Sequence, residues 1–264
     1  ITALNYLLEP WMTRSAQYAV EMLPYLTPFL CLRAASERRR WPALLTLATT
    51  FAILVIARSR TPLGTACVLT VLALIVFRRN AHSAVREAAM YGAVVAALVG
   101  VLLVVPVTRK MVVTMFVRVT HIGVVWGDLR IPAEEKNQER ADLTEHSLAM
   151  LPHRMPLGIG YMNFSLYMED WTGFRSPLHN MYMSWLLEGG VACVLVVLVL
   201  AARHVRALRR YIRRGTAEQR AFGKACALAS LGLLPMGAFH QVHQMPALWM
   251  LLGLGAACGA AETD

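Results

Sequence analysis

Apolar residues fall along this chain in long blocks separated by short polar stretches rich in arginine. A helix needs about 20 apolar residues to cross the hydrocarbon of a bilayer, and its backbone groups must bond within the segment, so each block predicts a transmembrane helix. About seven blocks qualify on that length, at 16–33, 41–58, 61–78, 88–106, 180–202, 222–239 and 245–260. The first is interrupted by Glu21, Pro24 and Pro28. The expected fold is all-α and integral to the membrane, a multi-span helical bundle in three parts. Residues 1–106 hold the first four helices, 107–178 form a polar loop with short helices, and 179–264 hold the last three. Met111–Trp126 is apolar but broken by Arg118 and His121, and a further crossing there would spoil the charge alternation described next. It predicts an interfacial or re-entrant piece.

Arginine and lysine concentrate in three stretches, Arg33–Arg40, Arg78–Arg86 and Arg203–Arg220. Alternating the spans puts all three on one side, which the retention of basic loops makes the cytoplasmic side. The turn around Arg58–Pro62, the segment 107–178 and the turn at His240–Gln244 then face the opposite, extracytoplasmic side. Composition agrees: 57% hydrophobic residues, 16% charged residues and a mean hydropathy of +0.48 exclude an ordinary soluble domain. The formal charge of +10 would suggest nucleic acid in a soluble protein. Here the cations adjoin apolar blocks, where they control topology and meet anionic lipid, so nucleic acid is discounted. The sequence opens at Ile1 without an initiator Met or signal pattern and is expected to be a piece of a longer chain. Cys31, Cys67, Cys193, Cys226 and Cys258 all lie in apolar stretches without metal-like spacing and read as small hydrophobes.

The candidate chemistry gathers on the extracytoplasmic side. His179 and Asn180 stand at the mouth of an apolar helix, in Ser176–Gly190. An imidazole titrates near neutrality and can take a proton from a hydroxyl there, although a capping or interfacial role fits the same position. Arg58 and Arg60 flank the start of a span. Their guanidinium forks suit phosphate oxygens, and arginines at span ends also simply snorkel. Arg140 opens a stretch of strong helix formers, Glu139–Met150, that Pro152 is expected to stop, and helical spacing sets Arg140, Thr144 and Ser147 on one stripe. The glycines of Met155–Phe164 allow positive φ or close backbone approach, but no strand precedes them as a dinucleotide site requires. Glu188, within or near the helix that follows His179, is costly unless paired and reads equally as structural or catalytic. His240 and His243 lack a third ligand, Glu169–Asp170 reads as a solvated face, and no metal site or cofactor is expected.

These pieces together resemble the O-antigen ligase and O-antigen polymerase superfamily. Ala57–Gly64 is similar to the family's Ser-Arg turn that opens a span. Arg140 followed by Pro156-Leu-Gly-Ile-Gly160 is similar to its arginine helix and Pro-x-x-Gly-x-Gly connector. His179-Asn180 with Gly190 matches a His-Asn-(nine residues)-Gly motif, and Leu248–Gly253 resembles the closing span. Cys193 departs from the Gly, Thr or Tyr of the ligase pattern. The resemblance implies further spans upstream and a type C-like, metal-independent, inverting membrane glycosyltransferase in the bacterial inner membrane, with its active site facing the periplasm. The donor would be a glycan on undecaprenyl diphosphate, and the acceptor the lipid A core. On that pattern His179, Arg60 and Arg140 are catalytic: His179 deprotonates the acceptor while Arg60 and Arg140 neutralise the diphosphate. Arg58, Asn180, Arg118 and Arg175 are candidate substrate-binding residues. A polymerase or a protein O-oligosaccharyltransferase would share the donor chemistry. A polysaccharide transporter is disfavoured, because its polar groups would lie near the bilayer midplane.

Overall fold

The computed structural model describes residues 20–36, 41–57, 60–77, separate helical positions between 86 and 117, and then 124–126, 129–131, 138–154, 156–160, 163–172, 180–239 and 246–260. It is a helical structure. Among these residues the helices are α1 (Thr27–Ser36), α2 (Trp41–Ile56), α3 (Arg60–Phe77), α4 (Gln138–Arg154), α5 (Phe164–Thr172), α6 (Met181–Leu187), α7 (Gly190–Arg214), α8 (Ala217–Leu231), α9 (Leu233–Phe239) and α10 (Pro246–Ala260), with a 3₁₀ turn at Leu23–Leu26. A short antiparallel hairpin, β1 (Val124–Trp126) and β2 (Leu129–Ile131), pairs Val124 with Ile131 and Trp126 with Leu129. It begins at the end of the stretch read as interfacial, and Gly127-Asp128 between the strands are residue types that favour two-residue turns.

Among the described residues three helical runs are long and apolar enough to cross a membrane: Arg60–Phe77, Gly190–Arg214 and Ala217–Ala238. Trp41–Val55 and Leu248–Cys258 are shorter apolar helices. All five fall on predicted blocks, and in the block 88–106 the described residues are separate positions, all of them helical. Along α7, Val191, Leu195, Val196, Leu198 and Val199 are exposed. Such a continuous apolar face is stable when lipid covers it.

Two predicted blocks are interrupted. Block 180–202 divides into α6 and α7 because Gly190 adopts φ +67°, which ends the ladder begun at Asn180. Block 222–239 turns at Gly232, three residues before Pro235, which brings no N–H to the ladder. The arginine-rich stretch 203–220 is mostly helix rather than loop. α7 continues to Arg214 before its cap at Gly215, and α8 starts from a capping box in which Thr216 and Gln219 bond each other's backbone N–H. Pro152 does not stop α4, which runs on to Arg154.

The chain divides into two compact units. The first is Ile1–Glu135 with Thr216–Gly232. In it α1 packs on α2, α3 and α8 around Cys31, Leu47, Phe51, Leu54, Ala66 and Leu228, and Phe29 meets Phe222 at 5.7 Å. Lipid competes for such apolar surface, so close packing rather than escape from water holds these helices together. The second is Lys136–Gly215 with Leu233–Asp264. In it α7 packs along α10, α6 contacts α4 and α9, and Phe164, Met168 and Leu187 form a core flanked by Met150, Leu151, Ile159 and Met183.

Candidate active site

The second unit joins two of the motifs through their backbones. Asn180 caps α6: its Oδ1 accepts from Tyr182 N at 3.0 Å and Met183 N at 3.1 Å. These are donors that a helix start leaves without an intrahelical partner. Seven residues of helix follow, and then the chain turns at Glu188-Gly189 into α7. Onto this turn the connector Pro156–Gly160 docks through its backbone. Ile159 N donates to Leu187 O, and Gly160 N donates to Glu188 O, both at 2.9 Å. The connector itself leaves α4 through Gly158 N donating to Arg154 O at 2.8 Å.

Three glycines make this approach possible. Gly158 and Gly160 sit at φ +73° and +91°, as expected for the connector, and Gly190 at +67°. A Cβ on Gly190 would lie 2.7 Å from Gly158 N and from Leu157 C, and one on Gly158 would run into the Glu188 carbonyl. The glycines of the Pro-x-x-Gly-x-Gly connector and the final glycine of the His-Asn motif are therefore two halves of one backbone contact. Gly189 is constrained from the other side. A Cβ there would lie 2.7 Å from Cys193 Sγ, so the departure at Cys193 is accommodated by bare backbone one turn earlier.

Glu188 is 5% exposed and closes the same contact with its side chain. Its Oε2 accepts from Ser184 Oγ at 2.6 Å, a short bond of the charge-assisted kind, and its Oε1 accepts weakly from Phe164 N at 3.4 Å. Phe164 N opens α5, so the carboxylate faces the positive end of that helix. Of the two readings open for Glu188, the structural one has its partners in place. Sequence reasoning missed the Ser184–Glu188 pair, although its i, i+4 spacing beside a glycine pair was visible. Tyr182 fixes the other flank of α6, its hydroxyl donating to Leu234 O at 2.8 Å.

On the arginine helix, Ser147 is fully buried, and the spacing of seven residues sets position 140 on the same stripe two turns earlier. Arg154, at the helix's other end, lies over the Tyr167 ring at 5.8 Å. Arg60 is the first residue of α3, with Pro62 in the first turn, and belongs to the first unit. His179, Arg58, Arg118 and Arg175 lie outside the described residues. His240 and His243 do too, and among the described residues no three His, Cys, Asp or Glu come together as a metal site would need.

Apolar helices of spanning length and a glycine-locked connector beside the helix that Asn180 caps define a helical membrane protein with a contact built from two motifs. The family model for O-Antigen ligase matches residues 45–198, more than half of the chain, and the chain belongs to that family. The match includes Arg60, Arg140, the connector, His179 and Gly190. Its members are ligases and polymerases of the glycosyltransferase kind, which supports an enzyme of that broad kind for this chain. No curated protein matches it.

Proposed function

We propose that the protein is an O-antigen ligase of the bacterial inner membrane, moving a glycan from undecaprenyl diphosphate to a hydroxyl of the lipid A core at the periplasmic face. The observation that carries the reading is the family match over residues 45–198 together with the interlock of the connector and the His-Asn motif. That interlock ties the two motifs together: it holds the C-terminal end of α6, the short helix that Asn180 caps and that His179 precedes in the sequence.

In the proposed reaction His179 takes the proton of the acceptor hydroxyl as its oxygen attacks the anomeric carbon from the face opposite the diphosphate. The glycosidic bond breaks with inversion, and the electron pair leaves on undecaprenyl diphosphate. General base help of this kind contributes roughly 10²–10⁴-fold. Arg60 and Arg140 neutralise the charge that grows on the leaving diphosphate, an interaction stronger in the transition state than in the ground state. The support for Arg60 is local. A cation at the first residue of α3 opposes the helix dipole, whereas a phosphate there is favoured by both the dipole and the guanidinium. Arg58, Asn180, Arg118 and Arg175 bind the glycan and phosphate groups, and the chemistry proceeds without a metal.

The test is transfer by membranes carrying His179→Ala, Arg60→Ala or Arg140→Ala, with and without EDTA. The proposal predicts loss of transfer in all three at unchanged membrane expression, and no effect of the chelator. Near-normal transfer by His179→Ala would sink the base assignment, and inhibition by EDTA would sink the metal-free route.

A further inference from the structure

The far end of α7 holds a second site. Its last turns carry Arg203, Arg206 and Arg210. At 100° per residue these three lie within about 60° of one another and share one face. Between that face and α10 lies a cavity of about 550 Å³, to which Arg203, His204, Arg206 and Arg210 contribute from α7 and Leu252 and Gly255 from α10. Gly255 is buried, and a Cβ there would collide with the His204 imidazole, so the missing side chain makes room for the ring.

Neither α7 nor α10 contains an Asp or a Glu, so the cavity's cations face no carboxylate from either of its walls. Leu200, one turn before Arg203, also lines the cavity and joins the exposed apolar face of Val196 and Val199. An anion held by the arginines would thus have an apolar surface leading from it toward the bilayer. Free phosphate shares the anionic chemistry but has no use for that surface.

We propose that this cavity binds the phosphate headgroup of an anionic phospholipid, with the acyl chains leaving along Leu200 and Leu252. Volumes of several hundred Å³ suit small polar ligands, and guanidinium forks match phosphate oxygens in pairs. The site is separate from the proposed transfer chemistry. Thirteen residues of helix, about 20 Å, divide Gly190 from Arg203. Its success or failure is therefore independent of the ligase assignment.

Native mass spectrometry of the delipidated protein in neutral detergent tests the proposal, with dioleoylphosphatidylglycerol, dioleoylphosphatidylcholine and inorganic phosphate as separate probes. Phosphatidylglycerol is expected to bind most tightly. The combined Arg203→Gln, Arg206→Gln, Arg210→Gln variant should weaken its binding roughly 100-fold, at about fivefold per surface arginine. Arg209→Gln, Arg213→Gln, Arg214→Gln removes equal charge from the same helix without touching the cavity lining and should retain most binding. Should the first triple variant fail to fold, Arg206→Gln alone should cost about fivefold. Equal binding of phosphatidylcholine, equal loss in both triple variants, or inorganic phosphate binding as tightly as the lipid would overturn it.

Discussion

Replacing Gly190 by alanine probes the backbone interlock at its tightest point. The native φ of +67° lies in the left-handed region, where a Cβ costs about 1–2 kcal/mol. The new methyl would also stand 2.7 Å from Gly158 N and Leu157 C and 2.9 Å from Pro156 O. All three are backbone atoms, so none can swing aside as a side-chain tip would. The connector must lift, which strains the bonds from Ile159 N to Leu187 O and from Gly160 N to Glu188 O. At about 1 kcal/mol for each bond lost, the total reaches about 3–4 kcal/mol. For a chain of this size that is a fall in melting temperature of about 10 °C. Tryptophan fluorescence during thermal unfolding in detergent reads it. Gly253→Ala is the control: nothing lies within 4 Å of a Cβ there, and alanine in a helix interior should stabilise by about 0.5–1 kcal/mol. A Gly190→Ala protein that melts with the wild type would refute the interlock.

Glu188→Ala leaves the Ser184 hydroxyl and the start of α5 without their carboxylate and should cost about 2 kcal/mol in the same assay, while Glu188→Gln, which keeps an acceptor, should cost less than half of that. Asn180→Ala removes the cap of α6 and should cost about 1 kcal/mol. Asn180→Asp keeps the cap but loses the amide donor, so if Asn180 binds substrate, its melting should be normal and its transfer rate reduced; normal transfer would leave Asn180 a cap alone.

Much of the fold was legible because crossing a bilayer makes a strong demand on sequence. Val191–Ala202 is apolar throughout, Leu63–Phe77 carries no charge and only Thr65 and Thr70 as polar side chains, and both lie in helices where expected. The failures have separate causes. Gly190 ends α6 and begins α7 through a positive φ that depends on a partner segment about thirty residues upstream, and hydropathy does not register such a contact. The run Arg203–Arg214 reads as a loop by charge, yet arginine is a good helix former, and α7 simply extends past its apolar part. Pro152 lies near the end of α4, where few backbone bonds remain to be broken, so the helix passes it. At the site, the glycines of Pro156–Gly160 signalled an unusual backbone and the i, i+4 spacing put Ser184 within reach of Glu188, whereas the burial of Glu188 depends on the packing of α5 against the α6 end, which no local pattern encodes.

The measurement closest to the central proposal is transfer by the membrane-reconstituted protein, supplied with a glycan on undecaprenyl diphosphate and, separately, with lipid A core. Glycan attached to the lipid A core, abolished by His179→Ala, is the predicted result. Product that appears only as lengthened lipid-linked glycan, with the core unmodified, would contradict the ligase assignment and make the protein a polymerase.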